Sequence, residues 1–216
     1  MDWQTLGMFT VASTVLAATP GPDMMLFVSR TMAQGRNAGF AALGGALLGC
    51  VCHAMAAGLG LSKLFLLVPV AFDVVRLAGA AYLLYLAWSI MRSSAPAATD
   101  QTPVPLSLAA IMRQGLLTNL LNPKVALFML ALLPQFMHPE RGDLAQQVLV
   151  LSAIQLLTGF LVNAVVICAA AGLAGWIGQR FGSLSAGATW KRRLPNLLLG
   201  GVFAGLAARL AWSGTK

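Results

Sequence analysis

Apolar residues in this chain run in long blocks with short polar stretches between them, and the block lengths carry the first expectation. A helix needs roughly 20 mostly apolar residues to cross a bilayer. Blocks of that order extend from about Leu6 to Val28, Phe40 to Leu61, Val74 to Met91, Leu116 to Phe136, Leu144 to Ile177 and Leu194 to Trp212. They predict an all-α integral membrane protein with about six transmembrane helices. The fifth block is long enough to tilt or to overhang the membrane. The longest polar stretch, 92–113, separates the third block from the fourth. Glycines spaced by four (Gly35/Gly39, Gly45/Gly49, Gly201/Gly205) would let helix backbones approach closely, within the chain or in a homo-oligomer.

Two blocks are interrupted at matching places. The first contains Thr19-Pro20-Gly21-Pro22 and the fourth contains Asn122-Pro123-Lys124. Proline lacks an N–H and clashes with a continuous helix, while Gly21 frees the turn between two prolines. Asn122 can bond backbone groups that Pro123 frees. In hydrocarbon an unpaired backbone group costs several kcal/mol, so a broken span is expected only beside protein or a wet cavity. Aligning Pro22 with Pro123, an offset of 101 residues, sets Pro-Asp-Met-Met-Leu-Phe on Pro-Lys-Val-Ala-Leu-Phe. Each copy opens a half of three spans. An odd number of spans makes the halves insert in opposite senses, the inverted-repeat arrangement of many secondary transporters. The expected organisation is one membrane domain over 1–216, with halves at about 1–91 and 114–213.

At the matched positions stand Asp23 and Lys124, the deepest ionisable groups in the expected spans apart from His53. An isolated charge at the bilayer centre costs at least about 2.5–3.5 kcal/mol on insertion scales. Two readings follow. The charges engage a zwitterion, with Asp23 on an ammonium and Lys124 on a carboxylate, or they form a structural ion pair that ties the two breaks together.

Composition agrees with a lipid solvent: 58% of residues are hydrophobic and only 9% charged, against about 25% charged in ordinary soluble domains. The net charge of +8 does not indicate nucleic acid, because the basic residues sit at the ends of apolar blocks. The one dense group, Lys191-Arg192-Arg193, suits a headgroup anchor beside anionic lipid. Connections one, three and five carry Arg30, Arg36, Arg92, Arg113, Arg180, Lys191, Arg192 and Arg193; the other side carries Lys63, Arg76, Arg141, Arg209 and Lys216. The excess predicts both termini outside the cytoplasm. The start Met1-Asp2-Trp3-Gln4 has no basic n-region, so no cleaved signal peptide is expected.

The motifs resemble the LysE/RhtB family of amino-acid exporters. The resemblance rests on Pro20-Gly21-Pro22-Asp23 in the first span and Leu121-Asn122-Pro123-Lys124-Val125-Ala126-Leu127-Phe128 in the fourth. Ser29-Arg30 with Gln34-Gly35-Arg36, the run 78–86, Gly115 to Leu120, and Leu133-Pro134-Gln135-Phe136 extend it in order along nearly the whole chain. It implies export of amino acids or close derivatives across the cytoplasmic membrane, driven by an ion gradient, with an antiport of protons as the expected coupling. It implies no cofactor. Thr19, Pro20, Gly21, Pro22, Asp23, Asn122, Pro123 and Lys124 become the expected substrate-binding set.

Other polar groups in the spans are weaker candidates for the path or for coupling: Asp23 again, His53, Asn119, Gln135, Gln155 and Asn163. Each can instead bond across helices, and for His53 that helix contact is the preferred reading. Cys50-Val51-Cys52-His53 resembles a metal motif only briefly, because Cys52 points away from the face shared by Cys50 and His53 and no second cluster completes the ligands. No enzyme constellation or phosphate loop stands out. Export of a metal cation or another small solute is the alternative within transport. A membrane-embedded enzyme or an accessory subunit is the alternative outside it.

Overall fold

The computed structural model describes residues 1–59, 69–92, 105–138, 140, 143–181, 201 and 204–208. Among them the chain is helical throughout, with no strand. In order these are α1 (Trp3–Ala18), α2 (Pro22–Gln34), α3 (Arg36–Gly58), α4 (Pro69–Arg92), α5 (Leu108–Leu120), α6 (Pro123–Leu127) and α7 (Leu144–Phe181). A π turn at Phe128–Leu132 and a 3-10 turn at Leu133–Phe136 continue α6. The π turn ends just before Pro134, which has no N–H for the carbonyl of Leu130 and whose ring would crowd it.

Both expected interruptions are real bends. The axis turns 52° between α1 and α2, and 53° between α5 and Pro123–Phe136. Each broken pair is long and apolar enough to cross a membrane as one span, and α3 and Leu144–Trp176 of α7 are so individually. The described part of α4 contributes a shorter apolar stretch, Leu77–Trp88. The expected sixth span lies outside the described residues except for Gly201 and residues 204–208, as does Lys191-Arg192-Arg193. Large apolar side chains face outward along these helices: Leu149 and Val165 on α7 are each 70% exposed, and Val15, Met55 and Tyr85 are also exposed. Water would not tolerate such a surface, and lipid does.

Some boundaries differ from the sequence expectation. Residues 108–113, expected in the polar connection, form the first turns of α5. The signal is Ser107, whose side chain accepts a hydrogen bond from the Ala110 N–H at 3.2 Å and caps the helix. The fifth block is one uninterrupted 38-residue helix, as its length suggested.

Two apolar cores divide the interior. One gathers Leu26 and Phe27 of α2 with Ala42, Leu43, Leu83, Leu86, Ile111 and Ile167. The other gathers Phe9 with Val125, Ala126, Met129, Leu133 and Leu151. Phe9 lies 5.5 Å from the Phe128 ring and 5.1 Å from the Phe136 ring, which fastens α1 to the α6 segment. Helix α3 runs through both cores and packs most extensively on α5. Small residues make that crossing close. A Cβ at Gly45 would fall on the Met112 carbonyl, and one at Gly115 on the Ala42 carbonyl. Of the expected glycine pairs, Gly45/Gly49 serves this crossing, whereas Gly201 and Gly205 have no neighbour within 4 Å of where a Cβ would stand.

This crossing predicts that Gly115→Val destabilises the protein by about 1–3 kcal/mol, the usual range for overpacking. Thermal unfolding in detergent measures it. A melting temperature equal to wild type would show that α3 and α5 have room to part without cost.

Candidate functional site

The prolines determine which backbone groups at the breaks lack partners. In a continuous helix the carbonyl of residue i bonds the N–H of i+4. Pro20 therefore orphans the carbonyl of Leu16, and Pro123 orphans that of Asn119. Both are answered from elsewhere in the chain. Lys124 Nζ donates to Leu16 O at 3.0 Å and to Thr19 O at 2.7 Å. A cation thus closes the C-terminal end of α1, where the helix dipole favours positive charge. His53 Nε2 lies 3.4 Å from Asn119 O, which also accepts from the Asn122 N–H at 3.0 Å. His53 accordingly makes the expected helix contact.

Asn122 bonds a backbone group freed at the break, as expected: its Oδ1 accepts from the Lys124 N–H at 3.1 Å and caps α6. Gly21 lets Lys124 cross over it: a Cβ there would stand 3.2 Å from Nζ. Gly49 does the same for Asn119, whose Oδ1 would lie 2.6 Å from an added Cβ.

Asp23 and Lys124 line one cavity without bonding each other. Asp23 Oδ2 accepts from Asn119 Nδ2 at 2.8 Å, and Oδ1 is buried without a partner. The same cavity is lined by Thr19, Asn119, Gln155 and Asn163 among its polar residues, and by Met24, Phe27, Cys50 and Val125 among its apolar ones. Asn119 Oδ1 and Gln155 Oε1 are likewise buried and unbonded, as is Asn122 Nδ2 nearby. Asn119 and Asn122 are 2% and 1% exposed. Unpaired polar atoms at such depth are costly unless water or a ligand meets them. The cavity measures about 50 Å³, room for a few waters and well below the roughly 300–1,000 Å³ of ligand pockets.

The remaining candidates fall around this centre. Pro20, Gly21, Pro22, Pro123 and Asn122 shape the breaks without lining the cavity. His53 stands behind Asn119. Asn163 donates to Gly159 O at 2.8 Å while lining the cavity. Gln135 is exposed at the end of the 3-10 turn, away from the lining. Cys50 is buried and lines the cavity, whereas Cys52 and Cys168 are exposed. Sequence reasoning named Asn119 only as a path candidate and missed its bond to Asp23. The signal was present, since Asn119 precedes Pro123 by one helical turn.

Two broken helices meet over a polar cavity inside an apolar helical shell, an arrangement suited to a membrane transporter. The chain belongs to the LysE type translocator family, which matches residues 14–214, and it is not an enzyme. It is 31% identical to an uncharacterized membrane protein of Vibrio cholerae serotype O1, over 98% of each chain. It is 28% identical to a homoserine/homoserine lactone efflux protein of Salmonella typhi, over 78% of this chain and 82% of that one. It is also 28% identical to a leucine efflux protein of Salmonella choleraesuis, over 94% and 92%. No solved structure matches the chain.

The Asp23–Asn119 bond bridges the two breaks, so the residues should be energetically coupled. In a cycle of Asp23→Ala, Asn119→Ala and the double variant, a coupling of about 0.5–3 kcal/mol is expected. Thermal unfolding of the four purified proteins reads it, and simple additivity would show that the contact carries no energy.

Proposed function

We propose that this protein exports amino acids or close derivatives across the cytoplasmic membrane, driven by the proton gradient, through a site between its two broken spans. The observation that carries the reading is a pair of opposite charges, Asp23 and Lys124, that face one cavity yet are not bonded to each other. Asp23 Oδ1, with only the Asn122 amide beside it, has capacity to accept from an ammonium. The Lys124 ammonium is held by two carbonyls, neutral partners that a carboxylate can outcompete, because a full opposite charge adds Coulomb attraction that a carbonyl dipole lacks. The efflux of homoserine and of leucine by similar proteins supports the substrate class. A metal cation would meet Lys124 in the same cavity and be repelled.

Matching helix ends support an inverted repeat. With Pro22 set on Pro123, the last residue of α2, Gln34, falls on Gln135, one residue before the end of the α6 segment. The halves at about 1–91 and 114–213 would then insert in opposite senses, with both termini outside the cytoplasm. The cavity is too small for an amino acid as it stands, as expected of a transporter between its open states. Asp23 is the acid suited to carry the coupling proton, and anionic lipid the partner for the basic segment 191–193. Glycine faces are available for a homo-oligomer.

The test is efflux from vesicles loaded with single amino acids, homoserine and leucine first, with and without an imposed proton gradient. Gradient-dependent exit above protein-free vesicles is expected for at least one. Lys124→Ala should lower kcat/KM about tenfold or more, the cost of a lost charged hydrogen bond. Asp23→Asn should uncouple exit from the gradient. No amino acid leaving from correctly inserted protein would sink the assignment. Undiminished gradient-driven export by Asp23→Asn would remove that residue from coupling.

A further inference from the structure

A second group of buried polar side chains lies away from the central cavity. Arg30 on α2 is only 9% exposed, and its Nε is buried without a hydrogen-bond partner. Among the described residues no carboxylate pairs with it. On α5, Thr118 is 2% exposed, and its buried hydroxyl has no partner beyond the neighbouring Tyr82 side chain. The Tyr82 hydroxyl of α4 lies beside both Thr118 and the guanidinium. A guanidinium of this burial with neutral donors around it is set up for an anion, since a buried unpaired charge is otherwise expensive.

Its position relative to the first site follows from helix geometry. Asp23 and Arg30 are seven residues apart on α2, nearly two turns, so they share a face about 10 Å apart. Phe27 stands between them at i+4 from Asp23 and i−3 from Arg30, buried with Leu43, and both line the central cavity. Beyond Arg30, Gln34 at the end of α2 clasps the segment before α5: its Nε2 donates to Leu106 O at 2.9 Å and its Oε1 accepts from Leu106 N at 3.3 Å. Along α2 from its C-terminal end the order is Gln34 with Leu106, then Arg30, then Phe27, then Asp23 in the cavity.

The geometry points to a second, outer station in which Arg30, with Thr118 and Tyr82, holds the carboxylate of an amino acid before it passes Phe27 to the central site. This rests on the export reading above and adds to it a site with a side: only substrate arriving from the α2 C-terminal mouth, the cytoplasmic one by the charge rule, meets Arg30 first. Arg30 makes a fork of donors suited to a carboxylate, and the hydroxyls complete the shell.

The test measures apparent KM separately from each face, using oriented vesicles and an amino acid that the wild type transports. Arg30→Gln is expected to raise KM from the Arg30 mouth about tenfold or more with kcat unchanged; detailed balance lowers kcat/KM from the opposite face by the same factor, there through kcat, with the opposite KM unchanged. Arg30→Lys should recover part of the loss. Thr118→Val, nearly isosteric, should raise the same one-sided KM severalfold, which keeps the test decisive if Arg30 variants do not fold. Equal KM changes at both faces would assign the group a structural role and overturn the station. So would an unchanged KM in Thr118→Val, or a one-sided KM that follows the anionic-lipid content of the vesicles. Failure of the wild type to transport any amino acid would instead sink the export reading itself.

Discussion

Everything at the centre of this protein depends on two carbonyl groups that proline has deprived of their donors. In water such a loss is mended by solvent; inside an apolar shell it costs several kcal/mol per group unless the protein supplies a substitute. Leu16 O, orphaned by Pro20, is met by Lys124. Asn119 O, orphaned by Pro123, is met by His53 and by the Asn122 N–H. Each substitute comes at least in part from beyond its own broken helix. The first break is closed by a side chain at the second, and Asn119 at the second reaches back to Asp23 at the first. The breaks are therefore one structure. Gly21 and Gly49 are small because Lys124 and Asn119 must pass over them.

The same dependence explains why the site is polar without being an ion pair. Had Asp23 and Lys124 neutralised each other, the buried pair would have been satisfied and closed to other partners. Instead Lys124 is drawn to the carbonyls at the end of α1, and Asp23 to a neutral amide. Each keeps its charge available to the cavity, and Asp23 Oδ1, Asn119 Oδ1 and Gln155 Oε1 keep unfilled valences there.

The chain reveals the positions of the breaks because proline acts locally, and Pro20-Gly21-Pro22 and Asn122-Pro123 bend the axis whatever surrounds them. Block lengths likewise place α3 and α7 to within a few residues. What could not be read was which partner each polar group would choose. Opposite charges at equivalent positions left open a zwitterion between them or a direct ion pair; the orphaned carbonyls compete for the lysine, and that competition appears only when α1 and α6 are set side by side. The start of α5 was placed late because charge and proline in 92–113 outweighed one capping serine, Ser107. Arg30 read as a surface charge counted for orientation, and only the packing of α2 against α3, α5 and α7 shows it to be buried.

Binding at such a site cannot leave the backbone unmoved. A substrate carboxylate that takes the Lys124 ammonium withdraws it from Leu16 O and Thr19 O, and the end of α1 must then find other donors or change its angle to α2. The 52° bend is held in part by those two bonds. An amino acid in the proposed site would thus loosen the first break at the moment it fills the cavity. Its ammonium, bonded to Asp23, would draw on the carboxylate that Asn119 now holds, and so reach the end of α5. Differential contact with two backbone arrangements is the requirement for a ligand to shift a conformational equilibrium. Here that requirement is met by the chemistry of the breaks: the groups that would recognise the substrate are the groups that hold the broken helices at their present angles.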